Sequence, residues 1–266
     1  MLIVNGIVHT MEVGTIPDGY VRIQGSRIAQ VGRVCELSEW ADSDGVIDAQ
    51  GGHILPGLID VHCHLGLYGC GAGEDDLNEC PEPWTPQLRA LDGADPFNRY
   101  FEEARRAGVT CVLTGPGSAN PIAGQGVLLK TVGRVIDQMT VRAPASMKFA
   151  LGENPKRIHE KQGPATRMAT AAVIREKLTR ALNYEAKWAR SQADGRLDEP
   201  EFDIRLDALR PVVTGRLAAH FHAHRADDIV TAVRISKEFG LDCVIVHGTE
   251  GHLVADFLAK EGVPVI

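Results

Sequence analysis

Histidines gather at a few places in this chain, and their spacing is the feature that needs an explanation. His62 and His64 flank Cys63 directly after an apolar stretch. In an extended strand, residues i and i+2 project to the same face, so the two imidazoles can converge on one point. A divalent metal bound by imidazole nitrogens at about 2.0–2.1 Å needs that convergence. We therefore predict that His62 and His64 are metal ligands rather than a hydrogen-bonded core pair, and that Cys63 faces the core.

A second group follows another apolar run. His220, His222 and His224 alternate along one segment, and His247 follows the apolar residues 244–246. Three ligands from one strand would be crowded, so one ligand with two supporting residues is expected from the first three. His247 is expected to be a ligand at its own strand end. The remaining scattered histidines are expected to be surface or structural residues: His9, His53 and His159.

A site with two metal ions also needs a bridging anion. The segment 147–157 offers two candidates, Glu153 and Lys148. Glu153, at the end of an apolar stretch, could bridge two ions or bind one directly. Lys148 could do so only after carbamylation, which turns its amine into a carboxylate. Glu153 is the preferred ligand, and a modified Lys148 stays open as the alternative.

Two further segments invite a functional interpretation but have a plainer one. The glycine-rich segment 115–126 is neither a P-loop nor a dinucleotide-binding fingerprint, so a turn-rich connector is expected, with pocket-shaping backbone donors as the alternative. The acidic segment 74–79 is expected to be a solvated loop rather than a metal site.

The composition excludes several classes of protein. The 266 residues carry a net charge of −7 with 44% hydrophobic residues, which is ordinary for a globular protein and argues against nucleic-acid binding. No apolar run approaches the length of a membrane span, and the first ten residues lack the pattern of a signal peptide. Six cysteines in a chain this long indicate reduced thiols in the cytoplasm rather than a disulfide framework.

The elements that would position these histidines fall into two parts. Residues 1–52 predict a small sheet of short hairpin strands over 1–8, 20–24, 27–31 and 46–49. Residues 53–266 alternate helices with apolar strands, which is typical of βα units in a parallel sheet. The predicted helices are 95–106, 170–190, a shorter one ended by Pro211, 226–239 and 253–261. The predicted strands are 58–61, 109–113, 127–131, 147–151, 217–221, 243–246 and 263–266.

Seven predicted strands are one fewer than an α/β (β/α)8 TIM-type barrel requires. Either the sheet is not a closed barrel, or the chain is the N-terminal part of a longer protein whose final strand follows residue 266. We favour the second interpretation. An open doubly wound sheet would fit the rhythm of helices and strands, but it would not explain why histidines fall at strand ends.

The segment 54–64, Ile-Leu-Pro-Gly-Leu-Ile-Asp-Val-His-Cys-His, resembles the opening strand of the amidohydrolase superfamily. These are metal-dependent hydrolases built on a (β/α)8 barrel beside a small β-sandwich. The segments 108–110, 115–120, 148–157 and 222–228 resemble the imidazolonepropionase-related branch. The resemblance runs over the whole chain, and it implies that the hairpins of residues 1–52 are the first half of the small β-sandwich.

The resemblance implies a ligand set. It places His62 and His64 on the first metal, Glu153 in the position of a strand carboxylate, and His222 and His247 in the remainder of the shell. The family also has an acid at the end of its eighth strand, which acts as ligand and proton shuttle. That acid has no counterpart because the sequence ends first, and the remainder of the sandwich is missing as well.

These observations favour a hydrolase that cleaves a C–N bond, in a linear or cyclic amide, with metal-activated water. One or two divalent ions are expected, zinc first, with iron or manganese as alternatives. His224 is expected to contact the oxyanion or a substrate carboxylate, and Asn154 or Arg225 other polar groups of a small-molecule substrate. A homo-oligomer stays open. The competing hypothesis is a catalytically silent metal-binding or assembly protein on the same scaffold.

Overall fold

The computed structural model describes residues 1–37, 45–69, 75–161 and 163–266. They divide into two units, Met1–Leu58 and Ile59–Ile266, where the sequence suggested a boundary after residue 52. Glu74 of the acidic segment and Cys70 lie outside the described residues. The five described cysteines are all free. None of the described helices is long and apolar enough to cross a membrane.

The first unit is a five-stranded sheet in which the expected hairpins form. The strands are β1 (Leu2–His9), β2 (Thr15–Gln24), β3 (Arg27–Arg33), β4 (Val46–Asp48) and β5 (His53–Ile54). Their order in the sheet is β3-β2-β1-β4, and β5 pairs with β1. The β1–β2 and β2–β3 pairs are antiparallel, whereas β4 and β5 run parallel to β1.

The second unit contains a six-stranded sheet. Its strands are β6 (Leu58–Cys63), β7 (Val109–Thr114), β8 (Ile122–Lys130), β9 (Thr140–Ala150), β10 (Ala219–Ala223) and β11 (Cys243–His247). Their order in the sheet is β11-β10-β9-β8-β7-β6. At its far edge, Ile245 forms a parallel bridge with Val265, so the chain begins to pair again where the sequence predicts a strand over 263–266.

The expectation of an all-parallel sheet is wrong in one region. The β9–β10 and β10–β11 pairs are parallel, but β7–β8 and β8–β9 are antiparallel. The connection from β7 to β8 is too short for a crossover helix, since a parallel pair needs a dozen or more connecting residues. The middle of the sheet is therefore a meander, and the fold is α/β with a barrel-like sheet of mixed direction.

Eight α-helices are described: α1 (Ala90–Gly93), α2 (Arg99–Arg106), α3 (Ile136–Met139), α4 (Glu153–Ile158), α5 (Arg167–Ala193), α6 (Ile204–Val213), α7 (Ala226–Phe239) and α8 (Ala255–Glu261). The long predicted helices are confirmed, but two predicted ends are wrong. The side chain of Asp95 accepts a hydrogen bond from Phe97 N–H in a turn before the helix. Asn98 is the residue that caps α2, because its Oδ1 accepts from Tyr100 N–H. Pro211 lies inside α6 instead of ending it.

The alternation of side chains along β9 and β10 decides which face carries the chemistry. Met147, Phe149 and Phe221 project to one face, where they pack with residues of α5, α6 and α7 in the main core. The two phenylalanine rings stack with their centroids 4.7 Å apart. Residues of opposite parity, among them Lys148 and His222, project to the other face. The apolar core thus fixes the strands that carry the polar residues.

Candidate metal centre

Five imidazoles converge at one end of the six-stranded sheet. His62 and His64 come from the end of β6, His222 and His224 from the end of β10, and His247 from the end of β11. The ring centroid of His62 lies 5.1 Å from that of His64 and 5.2 Å from that of His247. The ring centroid of His222 lies 4.7 Å from that of His224 and 4.7 Å from that of His247. We call these five residues the histidine cluster.

The backbone at His247 helps to bring β11 into this arrangement. Its φ of 74° lies in the left-handed region, which a residue with a Cβ occupies at a cost of about 1 kcal/mol or more. Its N–H still donates to Ile266 O at 2.8 Å, so the strand pairing persists up to the turn. Backbone strain held at a site is typical of residues whose position is imposed by function.

Lys148 is buried beside the cluster. It lies in β9 opposite His220 of β10, and only 4% of its surface is exposed. Its Nζ lies 3.4 Å from His62 Nε2. Burial lowers the pKa of Lys148 to about 7, because desolvation penalises the ammonium form. A buried lysine of this kind is substantially neutral, and therefore nucleophilic, near neutral pH.

Burial also favours the neutral form of several imidazoles in and beside the cluster. It lowers the pKa of His62 to about 2 and that of His222 to about 3, with the charge of Lys148 as the next cause. The pKa values of His220 and His247 fall to about 4 for the same two reasons. Only a neutral imidazole has a lone pair to give to a metal. The cluster is therefore ready to bind a cation at neutral pH.

Hydrogen bonds orient two of the rings. His64 Nδ1 lies 2.7 Å from Gly115 O, a carbonyl that can only accept, so Nδ1 carries the proton and Nε2 keeps its lone pair. His224 Nδ1 lies 2.7 Å from Thr249 Oγ1. Such contacts fix ring orientation and tautomer in metal sites. The glycine-rich segment 115–126 thus contributes a carbonyl acceptor, and its second half is strand β8 rather than a connector.

The donor set fits a divalent ion. One candidate ligand atom from each of His222, His224 and His247 lies within 4.8 Å of the others. In addition, His222 Nδ1 is buried without a hydrogen-bond partner among the described residues. A buried polar atom with no partner is costly, and a bound cation would satisfy it. Imidazole nitrogens suit zinc, iron and related transition metals.

Glu153 lies elsewhere, contrary to the sequence expectation for its position. The chain turns at Gly152, whose φ is 84°, and Glu153 then opens α4 with an exposed side chain. Its carboxylate accepts from Arg167 at 2.6 Å and lies 3.8 Å from Lys156 Nζ. These cations lower the pKa of Glu153 and occupy its oxygens. The structure brings Lys148, and not Glu153, to the histidine cluster.

The three residues expected to contact substrate are placed differently from one another. His224 belongs to the cluster, and its ring stacks on that of His247 with centroids 4.9 Å apart. Asn154 is half-buried, with its Nδ2 3.3 Å from His222 Nε2. Arg225 is exposed and forms a two-bond ion pair with Asp227. His224 and Asn154 therefore reach the cluster, whereas the guanidinium of Arg225 is engaged at the surface.

The sequence reasoning underrated His220, which is 6% exposed and lies beside Lys148. Its position two residues before His222 on the same face of β10 was the available signal. His159 is the structural residue that was expected, since its Nε2 lies 2.8 Å from Asn120 Oδ1 in the interior. Cys63 is buried in a core cluster, as predicted.

A cavity of about 430 Å³ is lined by several acidic residues, namely Asp75, Asp76, Glu79 and Asp92. Among the described residues that line it, Pro116 and Ala119 belong to the loop that reaches His64, but none belongs to the histidine cluster. Gly69 N–H donates to Asp75 at 2.9 Å, so part of this acidic segment has a structural role.

Comparison with known proteins supports what the fold and the cluster indicate. No protein-family model matches the chain. The crystal structure of an amidohydrolase from Thermotoga maritima MSB8 superposes with a TM-score of 0.94 and 39% identity, over 100% of this chain and 69% of that one. This chain belongs to the amidohydrolase superfamily and is related to its imidazolonepropionase branch.

Two curated relatives agree with that placement. Amidohydrolase tasK from Hapsidospora irregularis is 30% identical over 266 residues, covering 91% of this chain and 27% of tasK. An imidazolonepropionase from Streptomyces griseus is 30% identical over 139 residues, covering 48% of this chain and 35% of the relative. The chain thus spans about a third or less of the length of these curated relatives.

Proposed function

We propose that this chain forms the metal centre of a hydrolase that cleaves a C–N bond in a linear or cyclic amide. The observation that carries the proposal is the convergence of five imidazoles and a buried lysine at one end of the sheet. The buried Nδ1 of His222, which has no hydrogen-bond partner among the described residues, supports a cation at this place. We also interpret the sheet as part of a (β/α)8 barrel, where sites lie at the carboxyl ends of the strands.

We assign the ligands by strand. His62 and His64 would hold one ion, and His222 and His247 would hold a second. We replace Glu153 by Lys148 as the bridging group. The neutral amine of Lys148 would attack carbon dioxide, form an N–C bond and release a proton, which leaves a carbamate anion. Zinc is the preferred metal for this set of nitrogens, with iron or manganese as alternatives.

Ions held there would supply Lewis-acid activation of the carbonyl and a nucleophilic water at neutral pH. The residues of this chain have the remaining tasks. His224 faces the cluster from the exposed side, where its ring could donate a hydrogen bond to the oxygen that becomes negative during amide cleavage. Thr249 would hold that ring in place through its 2.7 Å contact with Nδ1. The substrate would be a small molecule that enters from this side.

We place the protein in the cytoplasm, because its described cysteines are free and two of them, Cys35 and Cys80, are exposed. Exposed unpaired thiols persist in a reducing compartment and are disfavoured in an oxidising one. Retention of free thiols when the protein is isolated from its natural source under alkylating conditions would support this placement. Disulfide-linked cysteines in that sample would contradict it.

The proposal is tested by metal analysis together with turnover. The protein should contain about one or two zinc, iron or manganese ions per chain by elemental analysis. The metal-loaded protein should hydrolyse members of a panel of N-acyl amino acids, lactams and cyclic ureides, and removal of metal by a chelator should abolish this activity. Bound metal without turnover on any of them would favour the silent metal-binding alternative. Absence of bound metal after incubation with zinc would overturn the proposal.

A further inference from the structure

Three side chains form a short chain of contacts behind the histidine cluster. Asn154, the second residue of α4, donates from Nδ2 to Ser118 Oγ at 2.8 Å, and the same nitrogen lies 3.3 Å from His222 Nε2. His222 is 4% exposed, and its other ring nitrogen, Nδ1, is buried without a partner among the described residues. The contact that Asn154 makes with Nε2 therefore bears on which nitrogen of His222 binds a metal.

A neutral imidazole has one N–H donor and one lone pair, and only the lone pair can bind a metal. If Nε2 were the ligand, Nδ1 would carry the proton and would be a buried donor with no acceptor. If Nδ1 is the ligand, Nε2 carries the proton and needs an acceptor at the place where Asn154 lies. The second arrangement leaves neither nitrogen unsatisfied.

The amide of Asn154 can be that acceptor. Its oxygen and nitrogen are nearly equal in size, and a half-turn of the amide exchanges them. After that turn, Oδ1 would accept one hydrogen bond from His222 Nε2–H and another from the hydroxyl of Ser118, using both of its lone pairs. In the structure Nδ2 of Asn154 contacts both Ser118 and His222. The half-turn would place Oδ1 there instead, and Oδ1 can accept a hydrogen bond from each.

We propose that Asn154 and Ser118 are positioning residues that fix the tautomer of His222, so that Nδ1 of His222 is its metal-binding atom. This inference rests on the metal centre proposed above, and it assigns Asn154 a role other than the expected contact with substrate. The neighbouring carboxylate of Glu153 pairs with Arg167, which also pairs with the buried Asp228.

The test uses substitutions that distinguish whether Asn154 must accept a hydrogen bond or donate one. Asn154→Leu keeps the approximate size but removes both functions, and we expect it to weaken the affinity for one zinc ion by about 10–100-fold, as is usual for partners of metal ligands. Asn154→Asp supplies only an acceptor and should keep affinity within about 3-fold of the wild type. Asn183→Leu, the same change on an exposed position of α5, is the matched control and should bind as the wild type does.

Zinc affinity is measured by competition with a chromophoric chelator. Equal affinity of Asn154→Leu and the wild type, or equal weakening by Leu and Asp, would overturn the inference. A second measurement needs no variant: nitrogen-15 NMR of the zinc-loaded wild type should show the proton of His222 on Nε2, and a proton on Nδ1 would overturn the inference. If the wild type binds no zinc, the proposed function fails instead, and the two failures are distinguishable.

Discussion

The molecule contains two groups of touching histidines, and they differ in almost everything but residue type. In the first unit, His9 Nε2 lies 2.7 Å from His53 Nδ1, the rings stack with centroids 5.0 Å apart, and Thr15 Oγ1 lies 3.3 Å from His9 Nδ1. His53 is exposed and His9 is half-buried. In the second unit, five imidazoles meet beside a buried lysine at strand ends. His222 is buried, His62 and His64 are half-buried, and His224 and His247 are exposed.

The difference shows that proximity of imidazoles does not by itself make a metal site. His9 and His53 share one hydrogen bond, which engages one nitrogen of each ring and leaves the pair satisfied in contact with water. In the histidine cluster, burial keeps His62 and His222 in the neutral form, and His222 Nδ1 has no hydrogen-bond partner among the described residues. Parallel strands that end side by side bring the rings together from distant parts of the chain.

The largest expected effect separates the two groups directly. His62→Ala combined with His64→Ala should abolish metal binding, because both ligands from β6 are lost. His9→Ala combined with His53→Ala is the matched control and should leave metal content at the wild-type value. Elemental analysis of the purified proteins measures both. Loss of metal from the control variant, or retention of metal in the cluster variant, would contradict the claim that the cluster and not the His9–His53 pair binds metal.

The second prediction compares the two candidate anions. Lys148→Ala should remove one ion or weaken it by at least about 10-fold, whereas Glu153→Ala should change affinity by less than about 3-fold, since its carboxylate pairs with Arg167. Metal titration measures this, and mass spectrometry under native conditions should detect the added carbon dioxide on Lys148. A stronger loss with Glu153→Ala would restore the original expectation from the sequence.

Strand-end histidines were predictable because the period of a strand and the geometry of a parallel sheet fix where side chains at i and i+2 point. Lys148 and Glu153 could not be ranked in the same way. The sequence does not show that the chain turns at Gly152, so a carboxylate five residues beyond the lysine looked better placed than the lysine itself. Burial of the lysine depends on strands that are distant in sequence.

The strand β8 was missed in its first half because of its glycines. Gly124 and Gly126 look like parts of a loop, but a Cβ at Gly124 would lie 2.6 Å from Leu88 O, and one at Gly126 would lie 2.6 Å from Ser146 Oγ. Close approach of neighbouring backbone and side chains, and not a turn, requires glycine at both positions. That requirement becomes visible only when the neighbours are known.

The third prediction concerns pH and sharpens the contrast in burial. In the metal-free folded protein the pKa of His220 is about 4, against an ordinary value of 6.5. As pH falls from about 6.5 towards 4, the unfolded chain takes up a proton that the folded chain does not, so folding stability falls. Each such histidine contributes a slope of up to about 1.4 kcal/mol per pH unit.

His220→Gln should therefore reduce the slope of folding stability against pH by the contribution of about one proton. The contributions of the cluster histidines to that slope should remain. Urea unfolding of the metal-free wild type and variant at several pH values in this window measures the slopes. Equal slopes in the two proteins would mean that His220 is protonated in the folded state, and that the interior around Lys148 is more polar than the structure indicates.

The smallest effect concerns the strand that carries the first two ligands. β6 is the outer strand of its sheet, and Ile59 and Val61 are 60% and 43% exposed on the face opposite His62 and His64. Exposed apolar outer strands promote self-association. Ile59→Lys should shift sedimentation towards the monomer without changing metal content. Unchanged self-association, or a loss of metal, would show that this face has a different role.

The most direct test of the central claim is anomalous X-ray diffraction at the zinc absorption edge from crystals soaked with a small excess of zinc. The account predicts one or two strong peaks inside the histidine cluster, with nitrogens of His62, His64, His222 and His247 at about 2.0–2.1 Å. It predicts no comparable peak at His9 and His53. A peak at that surface pair with none in the cluster would contradict the account.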